Sequence, residues 1–266
     1  MNMTLLLGST GVPENPIAAL EQAGALLPAG DGSIGSTVNI LLMFTVLALV
    51  PSILVLCTCF TRFIVVLALL RQALGSPIIP PTQILIGLSL LLSVVVMAPT
   101  IEQMYEEGIK PMIDGDITNT EVAWEKTRAP LRTFMFSQIE TAGNWSTVYM
   151  MLNYRGVDTS NPSELTREDV DTLSLLPAYV LSELKIAFLI GFRVYLPFLV
   201  IDLLVSGLLV SMGMLMLPPV LVSLPLKILM FVLVDGWALV AGNLLQSVAV
   251  SEQVAWLCNG GLGGVI

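Results

Sequence analysis

No histidine occurs among the 266 residues, and lysine and arginine together number only 11. The first absence removes His-based triads, imidazole metal ligands and the simplest proton relay. The second, against 20 acidic residues and a formal net charge of −9, argues against nucleic acid as a partner, since phosphate neutralisation needs clustered bases. Cysteine is scarce as well. Cys57 and Cys59 form a C-x-C in an apolar run and Cys258 lies in the tail, so small buried hydrophobes are expected, not a disulfide framework or a metal site. Charged residues make up 12% of the chain, where soluble domains carry about 25%. With 55% hydrophobic residues and a mean hydropathy of +0.87, the composition is that of an integral membrane protein.

The apolar mass falls into two blocks. Residues 1–36 are rich in Gly, Pro and Ala, acidic through Glu14, Glu21 and Asp31, and hold no Lys or Arg. They read as a flexible segment with a weak helix around Pro16–Leu27. Met1–Leu7 lacks the positive region of a secretory signal, which leaves Val38–Phe60 as an uncleaved signal-anchor. Residues 37–99 form a first apolar hairpin: Val38–Phe60, a break containing Gly75-Ser-Pro-Ile-Ile-Pro-Pro81, and Ile84–Met97, closed by Pro99. Arg62 and Arg71 lie between the runs, so the positive-inside rule puts this connection in the cytoplasm.

Residues 100–177 form a polar insert, expected to be helical and non-cytoplasmic. Its best helix is Thr120–Ile139, in pieces broken at Pro130, and a second is expected to start at the capping-box pattern Thr166-Arg-Glu-Asp169. Residues 178–250 form the second apolar hairpin, with runs Leu184–Val210 and Val220–Val240, and 251–266 are a Gly-rich tail. The fold class is therefore an all-α membrane protein of two apolar hairpins and four simple spans.

The second hairpin turns at Ser211-Met-Gly-Met-Leu-Met-Leu-Pro-Pro219. Gly213, Pro218 and Pro219 break the helix, and Met212, Met214 and Met216 alternate around Leu215. Methionine is flexible and polarizable, which suits an adaptable surface. Six charges fall in or beside these runs: Glu183, Lys185, Arg193, Asp202, Lys227 and Asp235. A charge at a membrane-helix centre costs about 3 kcal/mol. Opposite-sign pairs at the helical spacings of three or four residues are absent, so pairing is expected between helices or between subunits.

Three motifs are weaker. Ser182-Glu-Leu-Lys185 matches the S-x-x-K of acyl enzymes without its companion motifs. Asp114, Asp116 and Glu125 have calcium-loop spacing, but Asn119 replaces the needed Gly and an acidic turn is expected. Asn144-Trp-Ser146 is a glycosylation sequon by pattern.

From Pro177-Ala-Tyr-Val-Leu-Ser-Glu-Leu-Lys-Ile-Ala-Phe188 through Leu196-Pro-Phe-Leu-Val-Ile-Asp202, Ser211–Pro219, Ser223-Leu-Pro-Leu-Lys227 and Phe231-Val-Leu-Val-Asp-Gly-Trp237, the sequence resembles the FliP family of type III export-gate proteins. Upstream blocks Thr61-Arg-Phe63, Arg71-Gln-Ala-Leu-Gly75, Pro80-Pro-Thr-Gln83 and Ala129-Pro-Leu-Arg-Thr-Phe-Met135 agree, so the likeness covers roughly residues 40–250. It implies a non-enzymatic pore component of the flagellar export gate in the bacterial inner membrane, without cofactors. Implied partners are further copies in a pentamer, FliQ-like and FliR-like gate subunits, other export-apparatus and basal-body proteins, membrane lipid, and unfolded flagellar subunits as cargo. Much of the apolar mass would then pack on neighbouring subunits. The family's gasket maps onto Met214, Leu215 and Met216, with Met212 adjoining; Glu183, Asp202 and Lys227 correspond to charges at subunit contacts. Arg193 and the long N-terminal segment depart from the family pattern. The alternatives are an injectisome gate of the related SctR proteins, a solute or ion transporter with broken helices, and an intramembrane hydrolase resting on Ser182.

Overall fold

The computed structural model describes residues 41, 43–45, 47–48, 52, 55–76, 78–117, 119–157, 166–214 and 216–248. Within them every regular element is helical, and no strand occurs. The helices are α1 (Phe60–Leu74), α2 (Thr82–Met104), α3 (Thr120–Thr141), α4 (Trp145–Tyr154), α5 (Thr172–Ser211), α6 (Pro219–Leu233) and α7 (Gly236–Gln246). A π-helical turn, Tyr105–Ile109, and a short turn, Lys110–Ile113, extend α2. The expectations for residues 1–36, for the tail and for Cys258 lie outside the described residues, as does most of Val38–Phe60.

Two compact units divide the chain: Met1–Ile53 with Thr100–Leu131, and Leu54–Pro99 with Arg132–Ile266. The second unit holds α1, α4, α5, α6 and α7. Its centre is the seam between α1 and α5, with Phe63, Val66, Leu67 and Leu70 of α1 and Leu175, Ala178 and Ala187 of α5 all buried. The close approach depends on Gly191: a Cβ there would lie 2.3 Å from Leu69 Cδ1 and 3.2 Å from Leu69 Cβ. Gly191→Ala should therefore cost about 1–3 kcal/mol through overpacking, and Leu69→Ala in the same chain should recover part of it. Melting of both variants beside the unaltered protein in detergent checks this; an unchanged Tm for Gly191→Ala would contradict the tight seam.

Several boundaries differ from those expected, each for a local reason. Pro99 and Pro130 end no helix; both sit inside continuous helices, α2 and α3. Likewise α5 is continuous over 40 residues with Pro177 and Pro197 inside it. In α2 and α5, which are apolar enough to cross a membrane, neighbouring helices and local adjustment can re-satisfy the freed backbone groups.

The capping pattern at Thr166 exists as hydrogen bonds but starts no helix. The Thr166 N–H and hydroxyl donate to Asp169 Oδ2 at 2.8 and 2.7 Å, and these two donors hold the Asp169 carboxyl below its usual range. Residues 167–170 bend instead, and Arg132 holds them by donating to the carbonyls of Val170 (2.6 Å) and Arg167 (3.2 Å). The helix begins at Thr172, after Asp171, whose carboxylate accepts the Ser174 N–H at 3.2 Å as an N-cap.

The run Val220–Val240 is also two helices. It bends by 66° between α6 and α7 at Asp235, which has the left-handed φ of 50°. Aspartate tolerates that region better than most residues. Gly236 follows because Phe231 lies where its Cβ would be, at 2.2 Å, and the Phe231 ring packs edge-on against Trp237 at 5.3 Å. Of the four spans expected, the described residues supply two helices long and apolar enough to cross a membrane, Thr82–Ile113 and Thr172–Ser211, or three if the bent pair counts as one.

Candidate functional site: two ion pairs behind a methionine-bearing tip

The tip between α5 and α6 is built by a Schellman motif. The Met214 N–H donates to the Leu209 carbonyl at 2.9 Å and the Gly213 N–H to the Val210 carbonyl at 3.0 Å. Both bonds need a residue at position 213 with positive φ, and Gly213 supplies it at 75°. Pro218, extended at ψ 119°, and Pro219 at the first helical position then launch α6. The three methionines point outward: Met216 is 99% exposed, Met212 71% and Met214 43%. Leu215 lies outside the described residues.

Behind the tip, α5 and α6 are joined by a charged contact. Lys227 Nζ donates to Asp202 Oδ2 at 2.6 Å and to the Ala73 carbonyl at 2.9 Å, near the C-terminus of α1. A cation is favoured there, where the last carbonyls of a helix lack partners. The hydroxyl of Ser223 donates to the other Asp202 oxygen, Oδ1, at 2.6 Å. Lys227 is buried, whereas the Asp202 side chain keeps 32% of its exposure.

The second ion pair lies deeper and uses a residue the sequence reading had placed elsewhere. Arg62 is fully buried in α1 and meets Glu183 bidentately, Nε to Oε2 at 2.7 Å and Nη2 to Oε1 at 2.5 Å. Its Nη2 also donates to Gln138 Oε1 at 3.1 Å. Its Nη1 donates to the Ser247 hydroxyl at 3.3 Å and to the Ser247 carbonyl. The five donors of a guanidinium thus match five acceptors. They tie α1 to α3, α5 and the segment after α7. Arg62 is therefore not a loop charge between two spans. A signal was available in the sequence: Glu183 has no basic partner one helical turn away on its own face, and Arg62 interrupts an apolar helix.

Glu183, Asp202 and Lys227, expected at subunit contacts, thus all have partners inside one chain. Lys185 is also occupied: its Nζ donates to Asn144 Oδ1 at 2.6 Å, and Asn144 Nδ2 donates to the buried Ser182 hydroxyl at 2.8 Å. Asn144 therefore separates the two members of the S-x-x-K pattern, with the ammonium held on an amide oxygen. The same burial, with Asn144 only 1% exposed, closes the sequon to glycosylation. Ser182→Ala should cost about 1 kcal/mol of stability, one net hydrogen bond, and leave protein export intact; loss of export in a normally folded Ser182→Ala variant would revive a hydrolase. Glu125 pairs with Arg128 on α3, away from any calcium loop, and Cys57 and Cys59 are buried free thiols.

This arrangement, an all-helical chain with internally paired charges and an exposed methionine tip, coincides with a sequence match to the FliP family model over residues 43–244. The chain belongs to the FliP family. It is 44% identical over 215 residues to the flagellar biosynthetic protein FliP of Bacillus subtilis (strain 168), covering 81% of this chain and 93% of that protein. Identity to the same-named protein of Caulobacter vibrioides is 43% over 235 residues, 87% and 85% of the two chains. For that of Aquifex aeolicus it is 38% over 245 residues, 92% and 98%. The family is one of flagellar biosynthetic proteins and not of enzymes.

Proposed function

We propose that this protein is a pore-forming component of the flagellar type III export gate in the bacterial inner membrane, passing unfolded flagellar subunits. The observation that carries the pore reading is the tip itself. An apolar loop bearing Met212, Met214 and Met216 is presented to the outside at the end of a long apolar helix, held by Gly213 and Pro218-Pro219, with Leu215 in its middle. A single copy leaves these side chains without packing partners. Five copies in a ring would bring five such tips together as a soft apolar seal, and methionine's flexibility would let it part for a chain and close again.

Family membership supports the flagellar role, with FliQ-like and FliR-like subunits and other export-apparatus and basal-body proteins as partners. Glu183, Asp202 and Lys227 then serve assembly indirectly, by fixing the helices that present the subunit surface; Asp202, partly exposed, is the one still open to a neighbouring copy. The organisation into 1–36, 37–99, 100–177, 178–250 and 251–266, with both termini and residues 100–177 in the periplasm, belongs to the same proposal. With Arg62 committed to an internal pair, that orientation rests on Arg71 alone, which is half-buried and donates to Thr82.

Replacing Met214 and Met216 by Ala should raise the leak of small solutes through the assembled gate while export continues. An unchanged leak from a correctly assembled gate would count against a seal at this loop. Deleting the gene should abolish filament export and spare general secretion, and normal motility in that strain would sink the flagellar reading.

A further inference from the structure

We propose that a cavity between α5, α6 and α7 binds an anionic phospholipid, with Arg193 taking the headgroup phosphate. The cavity measures about 490 Å³, within the range of small-molecule sites. Its walls are mostly apolar, including Pro197 and Phe198 from α5, Phe231 from α6 and Leu239 from α7. Four polar side chains line it as well: Arg193 from α5, Asn243 and Gln246 from α7, and Ser247 just after α7, which is already held by Arg62. Arg193 shares a helix face with Ile190, Val194 and Pro197, which also line the cavity, and Asn243 and Gln246 are one turn apart on theirs.

Among the described residues, Glu183, Lys185, Asp202 and Lys227 all have partners, but Arg193 does not. Asp235 stands at the elbow whose neighbours Val234 and Gly236 line the same cavity, yet it forms no ion pair with Arg193. Neither Asn243 nor Gln246 has a side-chain partner there. Arg193, Asn243 and Gln246 are all exposed on the chain's surface beside this mostly apolar cavity, and in lipid a cation and two amides so placed call for a ligand with anionic oxygens at one end and hydrocarbon at the other. A bacterial membrane supplies that chemistry as an anionic phospholipid, and basic pockets between membrane helices bind such headgroups. The guanidinium fork suits phosphate oxygens, and the amides supply further donors to them. The site explains why an arginine stands in the middle of an apolar helix without an internal partner. It draws on the membrane character of the helices and not on the methionine seal, so either can fail alone.

The test uses the full chain purified in a mild non-ionic detergent, with phosphatidylglycerol, phosphatidylcholine and inorganic phosphate as probes. Native mass spectrometry should show phosphatidylglycerol retained in preference to phosphatidylcholine. Arg193→Gln should weaken that retention roughly tenfold, as expected for the loss of a charge-assisted contact, and Arg193→Lys should keep part of it. If Arg193→Gln fails to fold, Asn243→Leu, which removes a polar contact and leaves the arginine, should lower retention to a smaller degree. Equal binding of the two lipids, or retention unaffected by both variants, would overturn the proposal. So would protection by inorganic phosphate alone, which would mark a simple anion site. In a Cys258→Ser background, a disulfide between Arg193→Cys on one copy and Asp235→Cys on another would give the cavity to a second copy and overturn it as well.

Discussion

Arg62→Ala is expected to lower stability by about 3–5 kcal/mol, because it leaves the Glu183 carboxylate buried with no counter-charge. That is a large part of the 5–15 kcal/mol typical of a folded protein, so little folded chain should accumulate in membranes. Glu183→Gln should be similarly damaging, since the arginine then carries the unpaired charge. Arg62→Lys is not conservative at this site: an ammonium has three donors for five acceptors and cannot reproduce the bidentate fork. It should recover only part of the loss. The double variant Arg62→Met, Glu183→Leu should be more stable than either single one, because no charge remains uncompensated, but Gln138 and the Ser247 carbonyl still lose a donor. Immunoblots of membranes and melting of purified protein measure all four. A normal melting temperature for Arg62→Ala would show that the pair is not what joins α1, α3 and α5.

Lys227→Met is expected to have the next largest effect, about 2.5–3.5 kcal/mol if the Asp202 carboxylate is left facing apolar surroundings in α5. Residual exposure of Asp202 and its bond from Ser223 reduce the penalty below that of the fully buried pair. The charge swap Asp202→Lys, Lys227→Asp separates two roles of the lysine. A swap restores the ion pair, but an aspartate at position 227 would confront the Ala73 carbonyl that the lysine now satisfies. Recovery should therefore be partial, and lower than for Lys227→Met combined with Asp202→Asn. Full recovery by the swap would mean that the contact with α1 contributes nothing. Because the pair lies on the hairpin behind Met212–Met216, the same variants should loosen the tip and raise solute leak where the protein still assembles.

Hydropathy alone located α2, α5 and the α6–α7 pair, since an apolar stretch of some 20 residues has few alternatives to a helix in lipid, but α1 lies where a connection between two runs was expected. Turns built on Gly and Pro were legible for the same local reason. Gly75 and Gly213 both sit in the left-handed conformation next to helix C-termini, as the breaks at Gly75–Pro81 and Ser211–Pro219 require. Prolines misled. Pro99, Pro130 and Pro177 look like helix ends by local rules, yet the chain stays helical through them, as it does through Pro197 inside the expected run Leu184–Val210. Thr166–Asp169 misled in the opposite sense: its hydrogen bonds form, but Arg132 holds the next residues in a bend, and the helix waits for Asp171.

By itself, then, the sequence determined that this is an all-α membrane protein of the FliP family, with a methionine-bearing turn between apolar helices. Those properties follow from side-chain hydropathy, local backbone preferences and long ordered blocks of similarity. Only the tertiary structure decided how the charges are used. Glu183 is 121 residues from Arg62, and Asp202 is 25 from Lys227, so neither pairing has a periodicity to read. The need for a partner could be inferred from the cost of an uncompensated charge in an apolar setting. Which residue met that need depended on the packing of α1 against α5, and of α6 across both.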